Sequence, residues 1–453
     1  MKLSRQWFPI RERWFLWPLL WHLAAWLLLG HVYETVVFQD ASRRLAMGQG
    51  VYEAFSSWLV TYGDGYYAYP PLYAYMLWVS GKLAYVIGGH WWLSQIAIKA
   101  WMLIADLLTV ALLYRVSPSA AKNYWTLWFI PVVAIGLVQP DLWVGLSVLL
   151  AFLFAQRGRW LGTGFALAAG IGMKLTPIVV LPFLALHLIQ THRWRPLLRV
   201  AAGVASGLAL VWLPYAIAFD DTGKFGEVLL FHITRPAAGL NVLAGLQQLA
   251  DAGLTVALLV GHHVPTASVS EVTQRVAAVY PVLTLLVFFA LAILAWVQRW
   301  SLRQVFCVPL LAFLLSNKVV FEQYALHALP LLLLTFPGAW PKLATPYIVY
   351  LIAAGTPWRF FPAEYGLPST PDALLPISWH TVAGAWLMIG FTIVSAVAVL
   401  VFNYHLYTLV RGLFHTTASS DTSYLQQRHS SDPLNSLRTK PLRVLARPEL
   451  ERL

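Results

Sequence analysis

From Trp14 to Gly30 the chain runs without an Asp, Glu, Lys or Arg, and comparable apolar runs recur along most of its length, parted by short basic loops. No water-soluble fold hides that much apolar surface. The chain is 59% hydrophobic and 11% charged, against about 25% charged in a soluble domain. The runs are the length of membrane-crossing helices, so the expected class is a polytopic membrane protein. A single cysteine, Cys307, excludes a disulfide framework and a cysteine metal cluster. The net charge of +12 sits in short loops and the last fifty residues. That pattern fits the positive-inside bias and anionic lipid and predicts no nucleic-acid partner. Trp14–Gly30 lacks a small-residue cleavage site and reads as a retained first span.

Charge also orders the loops. Lys2, Arg5, Arg11 and Arg13 place residues 1–13 in the cytoplasm. The first span then delivers His31–Leu72 to the outer face. The apolar but short stretch 72–88 either spans or lies in the interface; only the second choice puts Arg115, Lys122, QRGR (156–159) and THRWRPLLR (191–199) inside. The preferred topology therefore has spans near 93–114, 122–138, 141–156, 159–173, 175–190, 197–217, 276–297 and 303–316. Further spans follow to about 336, near 343–355 and near 380–402, giving roughly 10–13 transmembrane helices in a domain over 14–402. The first outer loop, with juxtamembrane helices, covers 31–92, the region from 242 to 275 is amphipathic or re-entrant, and 403–453 reads as a disordered basic cytoplasmic tail. Several spans are shorter than a full crossing, and short, proline-broken helices at membrane depth usually line an internal cavity.

The sequence has no phosphate-binding glycine loop, no nucleophile elbow and no zinc spacing. What remains is a set of ionisable residues that the topology gathers on the outer face. Glu34 and Asp40 are candidate general bases for removing a proton from an acceptor hydroxyl. Arg43 and Arg44 could instead pair Asp40 within the same helix turn, and Asp64, between two glycines, reads as a turn residue. Tyr66, Tyr67 and Tyr69 precede Pro70-Pro71, a rigid entry to a helix whose rings either stack on sugar or anchor at the interface. Asp141 starts a helix after Gln139-Pro140, either as its cap or in support of an acceptor or a metal. Lys174 has snorkelling as its alternative. His232, Arg235, Lys318, Gln323 and Tyr324 supply donors for a phosphate leaving group, with Glu322 a partner for Lys318 or Arg235. Lys99 and Asp106, seven apart on one helix face, need partners other than each other.

The ordered series VVFQDASRRLAMGQGVY, YAYPPLYAYML, IKAWMLIADLLTVALLY, QPD, GMKLTPIVVLP, HITRP with Asn241, and NKVVFEQYALHALPLL resembles the GT-C polyprenyl-phosphate-sugar glycosyltransferases. The chain is similar to the polyprenol mannosyltransferases of family 87 and to the catalytic subunit of glycosylphosphatidylinositol mannosyltransferase I. The resemblance implies an all-α GT-C-like membrane fold, an outward-facing active site in the cell membrane and inverting transfer of a hexose, mannose first, from a polyprenyl-phosphate donor to a lipid or glycan acceptor. In that family an aspartate stands four residues before the aromatic at Phe38; here the position is Glu34. Asp40 matches a second acidic position of the phosphatidylinositol-linked branch, whose paired-aspartate motif is not intact in this chain. Tyr69 joins the donor-binding set as a ring able to stack on sugar. No cofactor is assigned, and a divalent metal stays open. The rival expectations are a lipid-linked glycan flippase and a glycan ligase.

Overall fold

The computed structural model describes residues 9–10, 12–30, 32–52, 67–88, 91–127, 132, 135, 138–234, 238–260, 266–317, 319–320, 322–336, 338, 340–353 and 382–415. In chain order the described helices are α1 (Arg13–Leu28), α2 (Val32–Ala46), α3 (Pro71–Val86), α4 (Trp91–Val116), α5 (Pro118–Thr126), α6 (Asp141–Gln156), α7 (Trp160–Met173) and α8 (Val180–Gln190). They continue with α9 (Trp194–Ala218), α10 (Phe225–Thr234), α11 (Val242–Leu259), α12 (Thr266–Gln298), α13 (Leu302–Ser316), α14 (Leu329–Thr335), α15 (Trp340–Ala353) and α16 (Val382–His415). The only ladder among these residues is two residues long and parallel, β1 (Ala238–Gly239) beside β2 (Val319–Val320).

The fold is the all-α membrane class expected. Among the described residues four stretches are long and apolar enough to cross a bilayer: Leu93–Val116, Trp194–Ala218, Ala278–Gln298 and Ile389–Phe414. Shorter apolar helices, among them Asp141–Gln156, Trp160–Met173 and Leu302–Ser316, stand with them. Bilayer-facing residues stay apolar because nothing else covers them: Leu285, Phe289 and Val297 of α12 are exposed. The helices themselves pack through small residues, as expected where no hydrophobic drive separates helix from lipid. On α7 a Cβ at Gly164 would lie 2.3 Å from the Val200 carbonyl, and on α9 one at Gly203 would lie 2.4 Å from the Leu161 carbonyl.

Residues 32–46 of the first outer loop, expected to carry juxtamembrane helices, form a regular helix, α2, held on α3 by the Ser42 hydroxyl donating to the Leu77 carbonyl at 2.7 Å. Two boundaries differ from expectation. Within the region from 242 to 275, α11 covers Val242–Leu259 and α12 starts at Thr266 rather than near 276. The last helix runs to His415 instead of stopping at 402, because Phe402, Leu406, Val410 and Leu413 keep a buried helical stripe. Residues 416–453 of the expected tail lie outside the described residues, as do 1–8 and, within the expected 122–138 span, 128–131, 133–134 and 136–137.

The bundle has a basic end. The Gln190 amide donates to the Trp296 carbonyl at 2.5 Å and His187 Nδ1 lies 2.9 Å from the Trp300 carbonyl, so the α8–α9 and α12–α13 turns lie together. Ser301 and Gln304 close a capping box on α13, and Gln304 Nε2 donates to the Leu413 carbonyl at 2.7 Å, bringing in the end of α16. Arg193, Arg195, Arg299, Arg303 and Arg411 belong to these segments. A buried network fastens α1 to the bundle: His22 Nε2 lies 2.8 Å from Asp106 Oδ2, and the Tyr124 hydroxyl donates to Asp106 Oδ1 at 2.6 Å. Lys99 donates to the Leu29 carbonyl at 2.8 Å, capping the end of α1. Both residues thus have the separate partners their spacing requires.

Candidate active site

At the end of the helices away from those basic turns, four segments converge. They are the Tyr-Pro-Pro entry to α3, the start of α6, the turn between α7 and α8, and a 3-10 helix over Glu322–His327. Asp141, the first residue of α6, is fully buried. A carboxylate in the first helical turn gains from the exposed backbone N–H groups there. Lys174 Nζ lies 2.9 Å from Asp141 Oδ1 and 3.2 Å from Oδ2, and His327 Nε2 lies 2.6 Å from Oδ1. The lysine ammonium also sits 3.8 Å from the centre of the Tyr324 ring and 5.6 Å from that of Tyr69. Neither the cap nor the snorkelling alternative describes these two residues; they form a buried ion pair roofed by aromatic faces.

A second layer holds the rings. Gln139 Oε1 accepts from the Tyr69 hydroxyl at 2.7 Å and from Gln323 Nε2 at 2.6 Å. Val138, just before it, adopts φ 58°, a left-handed conformation costly for a β-branched residue. Its carbonyl accepts from the Tyr73 hydroxyl. The 3-10 helix comes this close because α6 has Gly145 beneath it: a Cβ there would lie 2.3 Å from the Leu326 carbonyl. Gln323 Oε1 and His327 Nδ1 are buried and have no hydrogen-bond partner among the described residues.

The turn after α9 props the first loop. Asp221, buried, accepts the Tyr52 N–H at 2.7 Å, and the Tyr52 hydroxyl donates to the Tyr69 carbonyl at 2.9 Å. Only glycine fits at position 50, where a Cβ would lie 2.0 Å from Asp221 Oδ2. Burial, reinforced by the Tyr215 phenol and the Asp221 carboxylate, pushes the Tyr52 hydroxyl far above the ordinary phenol range. It stays a neutral donor and is neither acid nor base for the chemistry.

Of the residues singled out from sequence, the structure brings Tyr69, Asp141, Gln323 and Tyr324 together, with Lys174 at their centre. Asp40 is on α2, paired to Arg43 at 2.9 Å. Glu34 is on the same helix, one turn before Phe38, whose ring lies 5.6 Å from Tyr69 and 5.2 Å from Tyr73. The Glu34 and Glu322 side chains lie outside the described residues, as does that of His232 on α10. Asp64, Tyr66, Arg235 and Lys318 lie outside them altogether. His327, Gln139 and Asp221 escaped the sequence reading. The first two lie within the quoted NKVVFEQYALHALPLL and QPD stretches, and His327 follows Tyr324 by three residues, one turn of a 3-10 helix.

The model of the family described as glycosyltransferase family 87 matches residues 67–320, more than half of the 453. The chain belongs to glycosyltransferase family 87. No curated protein and no solved structure matches it. The family 87 segment contains Tyr69, Gln139, Asp141 and Lys174; Glu34 and Asp40 precede it, and Gln323, Tyr324 and His327 follow directly. This family 87 chain is therefore a membrane glycosyltransferase, with a sugar donor and an acceptor as substrates. Both Asp141 oxygens face the Lys174 ammonium, and no cluster of three His, Cys, Asp or Glu occurs among the described residues.

Proposed function

We propose that the protein transfers a hexose, mannose first, from a polyprenyl-phosphate-sugar donor to a hydroxyl of a lipid or glycan acceptor, with inversion, at the outer face of the cell membrane. The observation that carries this reading is the Lys174–Asp141–His327 cluster between the Tyr69 and Tyr324 rings. A phosphate leaving group needs fixed cations and donors in a water-poor site. Lys174, His327 and Gln323 supply them, with Asp141 holding the cations in place and the rings offering faces to the sugar. His232, Arg235 and Lys318 complete the phosphate clamp. Support for gathering them comes from the ladder: β2 begins directly after Lys318 and pairs with β1, three residues beyond Arg235.

A carboxylate on α2 takes the acceptor proton as the hydroxyl oxygen attacks the anomeric carbon. The bond from that carbon to the phosphate oxygen breaks, and polyprenyl phosphate leaves with the electron pair. Register favours Glu34, which shares the Phe38 face of α2, over Asp40, about 200° around the helix from Phe38 and engaged with Arg43. The outer-face assignment rests on the arginines at the opposite end.

The test is transfer by the purified protein in vesicles, using radiolabelled polyprenyl-phosphate mannose and a panel of lipid acceptors. Glu34→Gln is expected to lower transfer at least 1,000-fold while donor binding persists, and Asp40→Asn to retain most of it. Transfer that survives the double variant sinks the mechanism. Translocation of donor without transfer replaces the enzyme reading with the flippase.

A further inference from the structure

We propose that α15 and α16 form a seat for an anionic phospholipid of the leaflet at the basic end. Between these two helices lies a cavity of about 630 Å³ open to the bilayer, walled by Pro346, Val349, Val397 and Val401 and headed by Lys342 and His405. The Tyr347 and Phe402 rings, 6.2 Å apart, put the middle of α15 against α16 at this level.

The groove fits one occupant on three counts. First, its depth fits a single leaflet. From Ile393 to His405 along α16 is about 18 Å at 1.5 Å per residue, against about 15 Å for half of a hydrocarbon core. Second, its open end is the basic one. Gln304 ties the Leu413 carbonyl to the start of α13, and Arg303 sits 5.7 Å from the Phe336 ring shortly before Lys342. Third, the charge is of one sign. Neither helix contains an Asp or Glu, Lys342 is exposed, and Arg411 follows Ile393 by five turns on the same face. A cation above an apolar slot one leaflet deep recognises a phosphate headgroup with its acyl chain. The glycosyl donor is a poor fit, because its phosphate belongs with Lys174 at the far end of the bundle.

The full-length protein, purified in mild detergent and delipidated, is titrated with phosphatidylglycerol or phosphatidylcholine and followed by native mass spectrometry and thermal unfolding. One phosphatidylglycerol is expected to be retained at least tenfold more strongly than phosphatidylcholine, raising the unfolding midpoint by about 2 °C. Lys342→Glu removes the headgroup preference. Val397→Trp fills the slot from an exposed position, and is expected to abolish retention without lowering the lipid-free midpoint. Equal retention of both lipids, retention that survives Val397→Trp, or retention of added polyprenyl phosphate in place of phosphatidylglycerol overturns the proposal.

Discussion

Asp141 faces the Lys174 ammonium and the His327 ring in a site with almost no water contact. Replacing it by asparagine leaves an ammonium buried beside a neutral amide, and breaking a buried pair in this way costs about 3–5 kcal/mol. Asp141→Asn is therefore expected to melt at a clearly lower temperature and to lose transfer; unchanged thermal unfolding would remove the pair from the structural core. His327→Gln keeps a donor toward Asp141 but cannot carry charge. Its expected signature is a transfer rate down about 100-fold with normal yield and melting, measured by initial rates in vesicles. Sequence made Asp141 and Lys174 conspicuous because charge is rare in the apolar stretches around them. Their pairing was invisible, since 33 residues separate them and nothing local relates a helix start to the turn after the next helix. His327 was harder still, as it looks like any histidine in an apolar run.

At the scale of elements, the pocket is assembled by close contact. Gly145→Ala drives a methyl into the Leu326 carbonyl, and overpacking of this kind costs about 1–3 kcal/mol. Because Gln323, Tyr324 and His327 ride on the same 3-10 helix, kcat/KM should fall further than stability explains. Gly203→Ala forces a similar contact between α7 and α9, remote from the pocket, and serves as the control: its stability should drop while kcat/KM per folded molecule stays near that of the unaltered protein. If both variants behave alike, the glycine at 145 has no special relation to the site. The helices themselves were legible. The spans read at 141–156 and 159–173 match α6 and α7 within one residue, since polar or basic residues bracket each apolar run. Helix α2 was less so, because VYETVVFQDASRRLA mixes charge with apolar residues. It is fixed by burying Phe38, Ala41 and Leu45 against neighbours, which no local pattern announces.

For the whole molecule the separation of a basic end from a reactive end makes a direct topological prediction. The chain has one cysteine, Cys307, and it is buried. In a Cys307→Ala background, single cysteines at Gly158 and Arg193 should react with an impermeant maleimide only after the membrane is opened. Cysteines at Met47 and Lys224 should react in intact cells. The reverse pattern would turn the bundle over and put the pocket in the cytoplasm. Which turns share an end of the bundle was readable from the order of arginines along the chain. The meeting of Asp141, Lys174 and His327 was not, because it depends on how the ends of α6, α7 and the 3-10 helix come together.

The same cluster has a consequence for how the protein is made. Helices enter the bilayer in the order of synthesis, and a lone Asp or Lys at depth is penalised by about 2.5–3.5 kcal/mol. Asp141 opens α6 and Lys174 directly follows α7, so the two can neutralise each other across that hairpin, whereas His327 emerges about 150 residues later, on the order of 10–30 seconds at typical rates of synthesis. Lysine 174 is thus the escort that carries the aspartate through that interval. Its loss should surface first as a fault of biogenesis, in chains degraded before any sugar is offered to them.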